Sequence, residues 1–189
     1  AQKVQIIVEH YRTNVAHLLD GHAKAMVVTS SRAAALKYKT AIDRYIASHG
    51  YEMGSLVAFS GSLTSEQVEE VVPGVAEPYT EHNMNPGLRG RTIPNAFGGD
   101  QYQVLIVANK YQTGFDQPLL CAMYVDKRLD GIEAVQTLSR LNRTLPSKGK
   151  DTTYVLDFVN DPETILNSFL PYFRTAQITQ TTDPDLVHD

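Results

Sequence analysis

One cysteine in 189 residues, Cys121, rules out an internal disulfide and separates this chain from the stapled scaffolds of oxidising compartments. It lies in an apolar run and reads as core, which fits a reducing cytoplasm. Long hydrophobic runs are missing: there is no stretch of about 18 apolar residues and no charged-then-apolar leader, so neither a membrane span nor a signal peptide is expected. Basic excess is missing as well. Seventeen Lys and Arg against 21 Asp and Glu leave a net charge of −4, which excludes a polybasic binder. Any nucleic-acid contact has to come from a local patch or from backbone amides. The histidines at 10, 17, 22, 49, 82 and 188 show no ligand spacing with one another or with Cys121, so no metal site is expected. No Gly-x-x-x-x-Gly-Lys-Ser/Thr loop is present to cradle phosphates, and no acidic box follows a strand to hold magnesium. Ser60-Gly61 lacks the glycine two positions back that a nucleophile elbow needs.

What is present is a 42% hydrophobic chain, enough for one domain with some flanking structure. Five short apolar runs, at 25–29, 55–59, 103–108, 122–125 and 153–158, alternate with helical stretches near 32–48, 131–145 and 162–172. The runs are too apolar to have one wet face. The pattern predicts an α/β fold with a parallel sheet covered on both sides. Before it, Val4, Ile7, Val8, Tyr11, Val15, Leu18 and Leu19 stand at helical spacing, so 1–22 reads as a leader helix that Gly21 can end. Residues 61–99 have weak periodicity and many Gly, Pro and Asn, and are expected to be a functional insertion or partly disordered around 72–92. The polar tail from 174 to 189 is expected to fray, and a chain that starts on Ala1 reads as a piece of something larger.

The organising stretch is Gln136-Thr137-Leu138-Ser139-Arg140-Leu141-Asn142-Arg143. On a continuous helix Gln136, Arg140 and Arg143 share one face, with Ala134, Leu138, Leu141 and Leu145 opposite. After Glu133 no carboxylate follows until Asp151, so the arginines have no partner within their own helix. Guanidinium forks suit phosphate oxygens; the alternative is a surface helix whose arginines pair with Asp126 or Asp130. Ligands of open parallel sheets collect beyond the carboxyl ends of the strands. Three loops there have suitable chemistry: Ser30-Ser31-Arg32, Ser60-Gly61, and Asn109 to Pro118, which holds Lys110, Gly114 and Asp116. Ser30 and Ser31 are also candidate helix caps, and Asp116 can cap a turn before Pro118.

Asn109 to Pro118 and Gln136 to Arg143 resemble motifs V and VI of superfamily-2 helicases and translocases, in wording close to the restriction (motor and nuclease) subunit of type I restriction-modification enzymes. Lys24 to Arg32 resembles that family's motif IV, and Glu81-His82-Asn83-Met84-Asn85 and Tyr154 to Asn160 fit its usual sequence. The resemblance implies that 23–173 is the second RecA-like lobe of a motor, a three-layer parallel sheet flanked by helices. It implies ATP and Mg2+ held mainly by an absent first lobe, with Arg143 as arginine finger and Arg140 at the same cleft. Gln136, Gly114 and Asp116 are implied beside the nucleotide, and Ser30, Arg32, Ser60, Gly61, Asn109 and Lys110 along double-stranded DNA. Implied partners are that DNA, the first lobe, and modification and specificity subunits, in the cytoplasm and away from membranes. Lacking a P-loop and a nuclease site, the chain alone is expected to be inactive. Ser139 stands where many relatives have Gly, and Asn109 where many have Thr. The second lobe of another DNA or RNA helicase, or a non-catalytic α/β binding module, are the alternatives.

Overall fold

The computed structural model describes residues 2–110, 115–142 and 149–181, with side chains of all but 142 and 172–181. Gly114 and Arg143 therefore lie outside the described residues. In chain order, α1 (Gln2–His10) runs through a π-helical turn, Tyr11–Val15, into α2 (Leu18–Gly21), followed by β1 (Lys24–Thr29), α3 (Arg32–His49) and β2 (Ser55–Ala58). Short elements come next: β3 (Ser62–Leu63), α4 (Ser65–Val68), β4 (Tyr79–Thr80), α5 (Glu81–Met84), a 3-10 turn at Pro86–Leu88 and α6 (Ile93–Phe97). Then come β5 (Val104–Val107), β6 (Leu120–Asp126), α7 (Gly131–Leu138), a 3-10 turn at Ser139–Asn142, β7 (Tyr154–Asp157) and α8 (Pro162–Thr181).

The five apolar runs form one sheet, in the order β2-β5-β1-β6-β7, with every pairing parallel. β1, β2 and β5 are buried along their whole length, as strands covered on both faces must be. One face carries Val27, Val57, Ile106 and Tyr124 against the leader helix (Ile7, Val8, Val15) and α3 (Leu36, Ile42). The other carries Met26, Leu56, Leu105 and Met123 against Phe97, Ala134, Leu138 and Leu141, with Ile165 and Phe169 of α8 partly buried beside them. This is the three-layer α/β arrangement that the alternation predicts.

Three expectations change. Residues 72–92 pack rather than fray. Leu63, Val68, Val72, Tyr79 and Met84 join the first face and Leu88, Ile93, Ala96 and Phe97 the second, so the segment wraps the free edge of β2. Its periodicity is weak because it is built of one-turn helices. Thr64, Thr80 and Thr92 start them, each accepting the amide three residues on, the first two in reciprocal boxes with Gln67 and Asn83. The second change is in α7, which ends at Leu138 and tightens into the 3-10 turn instead of continuing to 145. Serine and asparagine compete for backbone bonds there and weaken the α form. The third is that α8 reaches Thr181, past the expected stop near 172. In the leader, Leu19, Asp20 and Gly21 all take left-handed φ, so the reversal begins before the glycine.

Candidate functional site

The strand ends are in register: Val28 faces Val107, Ala58 faces Val107, Thr29 faces Asp126, and Val125 faces Asp157. The loops that follow therefore share one rim, and β1, flanked by β5 and β6, is where the chain order switches direction. The Thr29 hydroxyl donates to the Val107 carbonyl at 2.8 Å, which ties the ends of β1 and β5 together. Ser31 is the cap of α3, accepting from the Ala34 amide at 3.0 Å, and it leaves Ser30 exposed on the rim. Arg32 donates to the Ser60 carbonyl at 2.9 Å. Gly61 follows at φ +77°, a conformation that favours glycine, and a Cβ there would sit 2.9 Å from that guanidinium and push it aside.

Lys110 is held by both oxygens of Glu81, at 2.8 and 3.0 Å, and Glu81 also accepts the Phe59 amide at 2.9 Å. One carboxylate thus fastens the loop after β5 to the loop after β2. Lys127 pairs with Glu133 at 2.5 Å and donates to Asn109 at 3.3 Å, joining that loop to the start of α7. Asn160 braces the same turn, donating to the Lys127 carbonyl at 2.7 Å and accepting the Leu129 amide at 2.9 Å. Ser30, Arg32, Ser60, Gly61, Asn109 and Lys110 are therefore brought together.

The arginine helix is not part of that rim. α7 leaves it and runs back along the second face for eight residues, a path of roughly 12 Å at 1.5 Å each. At its end Arg140 donates to the Phe115 carbonyl at 2.8 Å, next to exposed Asp116. Phe115 precedes β6 by five positions and packs against Phe97 (6.4 Å between centroids), which lies 5.0 Å from the Lys24 ammonium at the amino end of β1. The single rim expected for all the candidates is therefore two clusters, and the return course of the helix is the reason. Gln136 is exposed on α7. Asp126 and Asp130, the proposed neutralising partners, are engaged elsewhere: Asp126 takes Lys3 (3.1 Å) and Tyr38 (2.6 Å), and Asp130 lies 3.8 Å from Arg128.

Sequence reasoning missed several residues here. Lys150 donates to the Pro118 carbonyl at 3.0 Å; burial lowers its amine, and Cys121 and Asp116 oppose the shift. Buried Lys24 donates to the Gly99 and Tyr102 carbonyls, and burial pulls its amine down to about 8 against the field of Asp100. Among the described residues no three His, Cys, Asp or Glu side chains converge, and the donors around Asp116 are cationic, which suits an anion rather than a metal.

This sheet order, with helices on both faces and loops gathered at the strand ends, is that of a RecA-like lobe. A solved structure with the same fold is the Mss116p DEAD-box helicase domain 2 bound to an RNA duplex (TM-score 0.52, 16% identity, covering 88% of this chain and 53% of that one). Residues 80–160 match the family model for type I restriction enzyme subunit R domain 3. The MjaVIIP endonuclease subunit of Methanocaldococcus jannaschii, named as a type I restriction enzyme subunit, is 31% identical over 129 residues, 66% of this chain and 12% of that protein. The type I restriction enzyme HindI endonuclease subunit of Haemophilus influenzae is 26% identical over 147 residues, 72% of this chain and 13% of that protein. The chain is thus similar to type I restriction enzyme R subunits, has the fold of a RecA-like lobe, and spans about an eighth of the length of these relatives.

Proposed function

We propose that this chain is the lobe of a DNA-translocating motor, in a type I restriction endonuclease, that delivers arginines to ATP and grips the DNA backbone. The observation that carries the reading is the bond from Arg140 to the Phe115 carbonyl, which seats a guanidinium beside Asp116. It joins the two stretches whose wording resembles motifs V and VI. Arg140 and Arg143 act on the triphosphate, and Asp116, Gly114 and Gln136 border the nucleotide. ATP and Mg2+ belong mainly to the first lobe, and this chain supplies positive charge where the leaving phosphate gathers negative charge. A finger of this kind contributes about 10³–10⁵ in rate, roughly 4–7 kcal/mol.

Ser30, Arg32, Ser60, Gly61, Asn109 and Lys110 face the DNA from the other cluster. Hydroxyls, amides and cations on loops hold phosphates without reading bases, as a motor on arbitrary sequence requires. Because both clusters hang on one packed sheet, closing on nucleotide moves the DNA-gripping rim as a rigid body, which links hydrolysis to displacement. Modification and specificity subunits, carried by the complex, supply recognition of the site.

The test is DNA-stimulated ATPase of the parent protein, or of this chain joined to its first lobe. Arg143→Ala and Arg140→Ala should each cut turnover by about 10³-fold or more, with duplex binding retained. Undiminished turnover in the Arg143 variant removes the finger from this lobe.

A further inference from the structure

Beside the DNA-facing rim the segment that wraps β2 forms a cavity of about 340 Å³ lined by Lys110, by Glu81 and His82 of the stretch that fits the family's usual sequence, and by Arg91 and Thr92, which no resemblance singles out. We infer that this cavity is a second seat for a DNA backbone phosphate, built by the loop Leu88-Arg89-Gly90-Arg91-Thr92. The inference rests on the DNA-motor reading above and extends its track past the motif loops.

Three observations carry it. The Arg91 guanidinium meets neutral acceptors only: the Leu88 carbonyl (3.0 Å), the Gly87 carbonyl (3.0 Å) and the Gln101 side-chain oxygen (3.1 Å). These bonds fix the fork in place without neutralising it, and among the described residues no carboxylate reaches it. Next, Arg89 and Gly90 both take left-handed φ (52° and 80°), which makes a tight turn that puts two exposed arginines at the tip of one loop. Last, the cavity is continuous with the rim. Glu81, in its wall, holds both Lys110 and the Phe59 amide, one residue from the Ser60 carbonyl that seats Arg32. Arg32, Lys110 and Arg91 therefore stand in succession, on a chain whose net charge of −4 makes a local run of cations stand out. Glu81 cancels the charge of Lys110, which leaves Arg91, Arg89, the exposed His82 and the Thr92 hydroxyl to meet an anion. Forked guanidinium next to hydroxyl is phosphodiester chemistry.

The experiment is binding of a labelled short DNA duplex to the full chain, by fluorescence anisotropy, across a salt series. Arg91→Gln and Arg89→Gln should each weaken binding several-fold at low salt and reduce the slope of log K on log salt by about 0.9. Among the described residues the Arg89 side chain makes no hydrogen bond or ion pair, so its variant separates lost charge from lost structure, and Arg91→Lys should keep the slope. If R89Q and R91Q bind like the parent while R32Q is weakened, the cavity is not on the track and the motor reading stands. If the unaltered chain fails to bind duplex, the motor reading falls and this seat with it. Inorganic phosphate at millimolar level should not displace the duplex. If it does so in the parent but not in R91Q, the cavity is a free-anion site and the inference is overturned.

Discussion

Asn85 answers both hydrogen-bonding groups of Val57, accepting its amide at 2.9 Å and donating to its carbonyl at 2.8 Å, and donates to the Glu81 carbonyl at 2.7 Å. A side-chain amide thus stands in for the neighbour strand that β2 lacks, at the point where the wrapping segment passes from one face to the other. Asn85→Ala leaves a buried amide and carbonyl unanswered and should lower unfolding free energy by about 2–4 kcal/mol, read as a fall in urea midpoint at constant m. A shift below a tenth of the total would mean that water takes over the carboxamide's bonds. Lys24 works at the opposite end of the sheet and sets a pH dependence. Its folded amine titrates at about 8 because of burial, while an unfolded lysine holds its proton to roughly 10.4. Between those values the unfolded chain binds more protons, so stability rises with pH across that window and the term is level outside it. A drop from roughly 10.4 to about 8 corresponds to a gain of roughly 3 kcal/mol across that window. Urea midpoints from pH 7 to 10.5 should climb in the parent more steeply than in Lys24→Met; parallel curves would show that the buried amine does not titrate in this range. Lys150, lowered in the same direction, is common to both proteins and cancels in the comparison.

Elements legible in the sequence are those whose signal is long and apolar. Ala25 to Thr29 and Val104 to Val107 could hardly be anything but doubly covered strands, and α3 was visible from Ser31 to Ile46 through its cap and spacing. The loops Ser30-Arg32, Ser60-Gly61 and Asn109-Lys110 were found as a set because parallel strands bring their carboxyl ends to one rim, and the register does so here. The wrapping segment was not legible. One-turn helices have no period to detect, and their cores, Val72 under the Tyr79 hydroxyl or Phe97 on Phe115, join residues that no local pattern connects. The signal that was there is the recurring Thr at 64, 80 and 92, three caps in a stretch poor in other order. Arg140 stands beside Asp116 as expected, but the distance of that pair from the loop rim was not legible: a helical wheel says which residues share a face, not how far along the sheet the helix has travelled. Hydrogen exchange tests the packed reading of this segment directly. Amides of Val57, Val72 and Phe59, bonded to Asn85, the Tyr79 hydroxyl and Glu81, should be protected, and those of Gly74 and Ala76 should exchange freely. Rapid exchange at all of them would return the segment to the disordered class.

At the scale of the molecule, two groups of charge sit on one rigid plate. The loop rim carries Arg32 and Lys110, and the reverse course of α7 carries Arg140 to the neighbourhood of Asp116 and Lys150. Among the described residues the first has cations and the second guanidinium and carboxylate, and no P-loop motif occurs in the sequence. On the proposed motor reading, a plate with anion-seeking ends works against another body. Catalysis by charge delivery then depends on that body being present, because a finger contributes only when its phosphate is held opposite it. The purified chain should accordingly show no ATP turnover above buffer, with or without duplex, in a coupled phosphate-release assay. Adding the separately folded first lobe should give turnover that duplex stimulates and that Arg140→Ala abolishes. Turnover by the chain alone would place a complete nucleotide site within these residues and end the two-lobe account; stimulation that survives in the Arg140 variant would move the phosphate contact to another side chain.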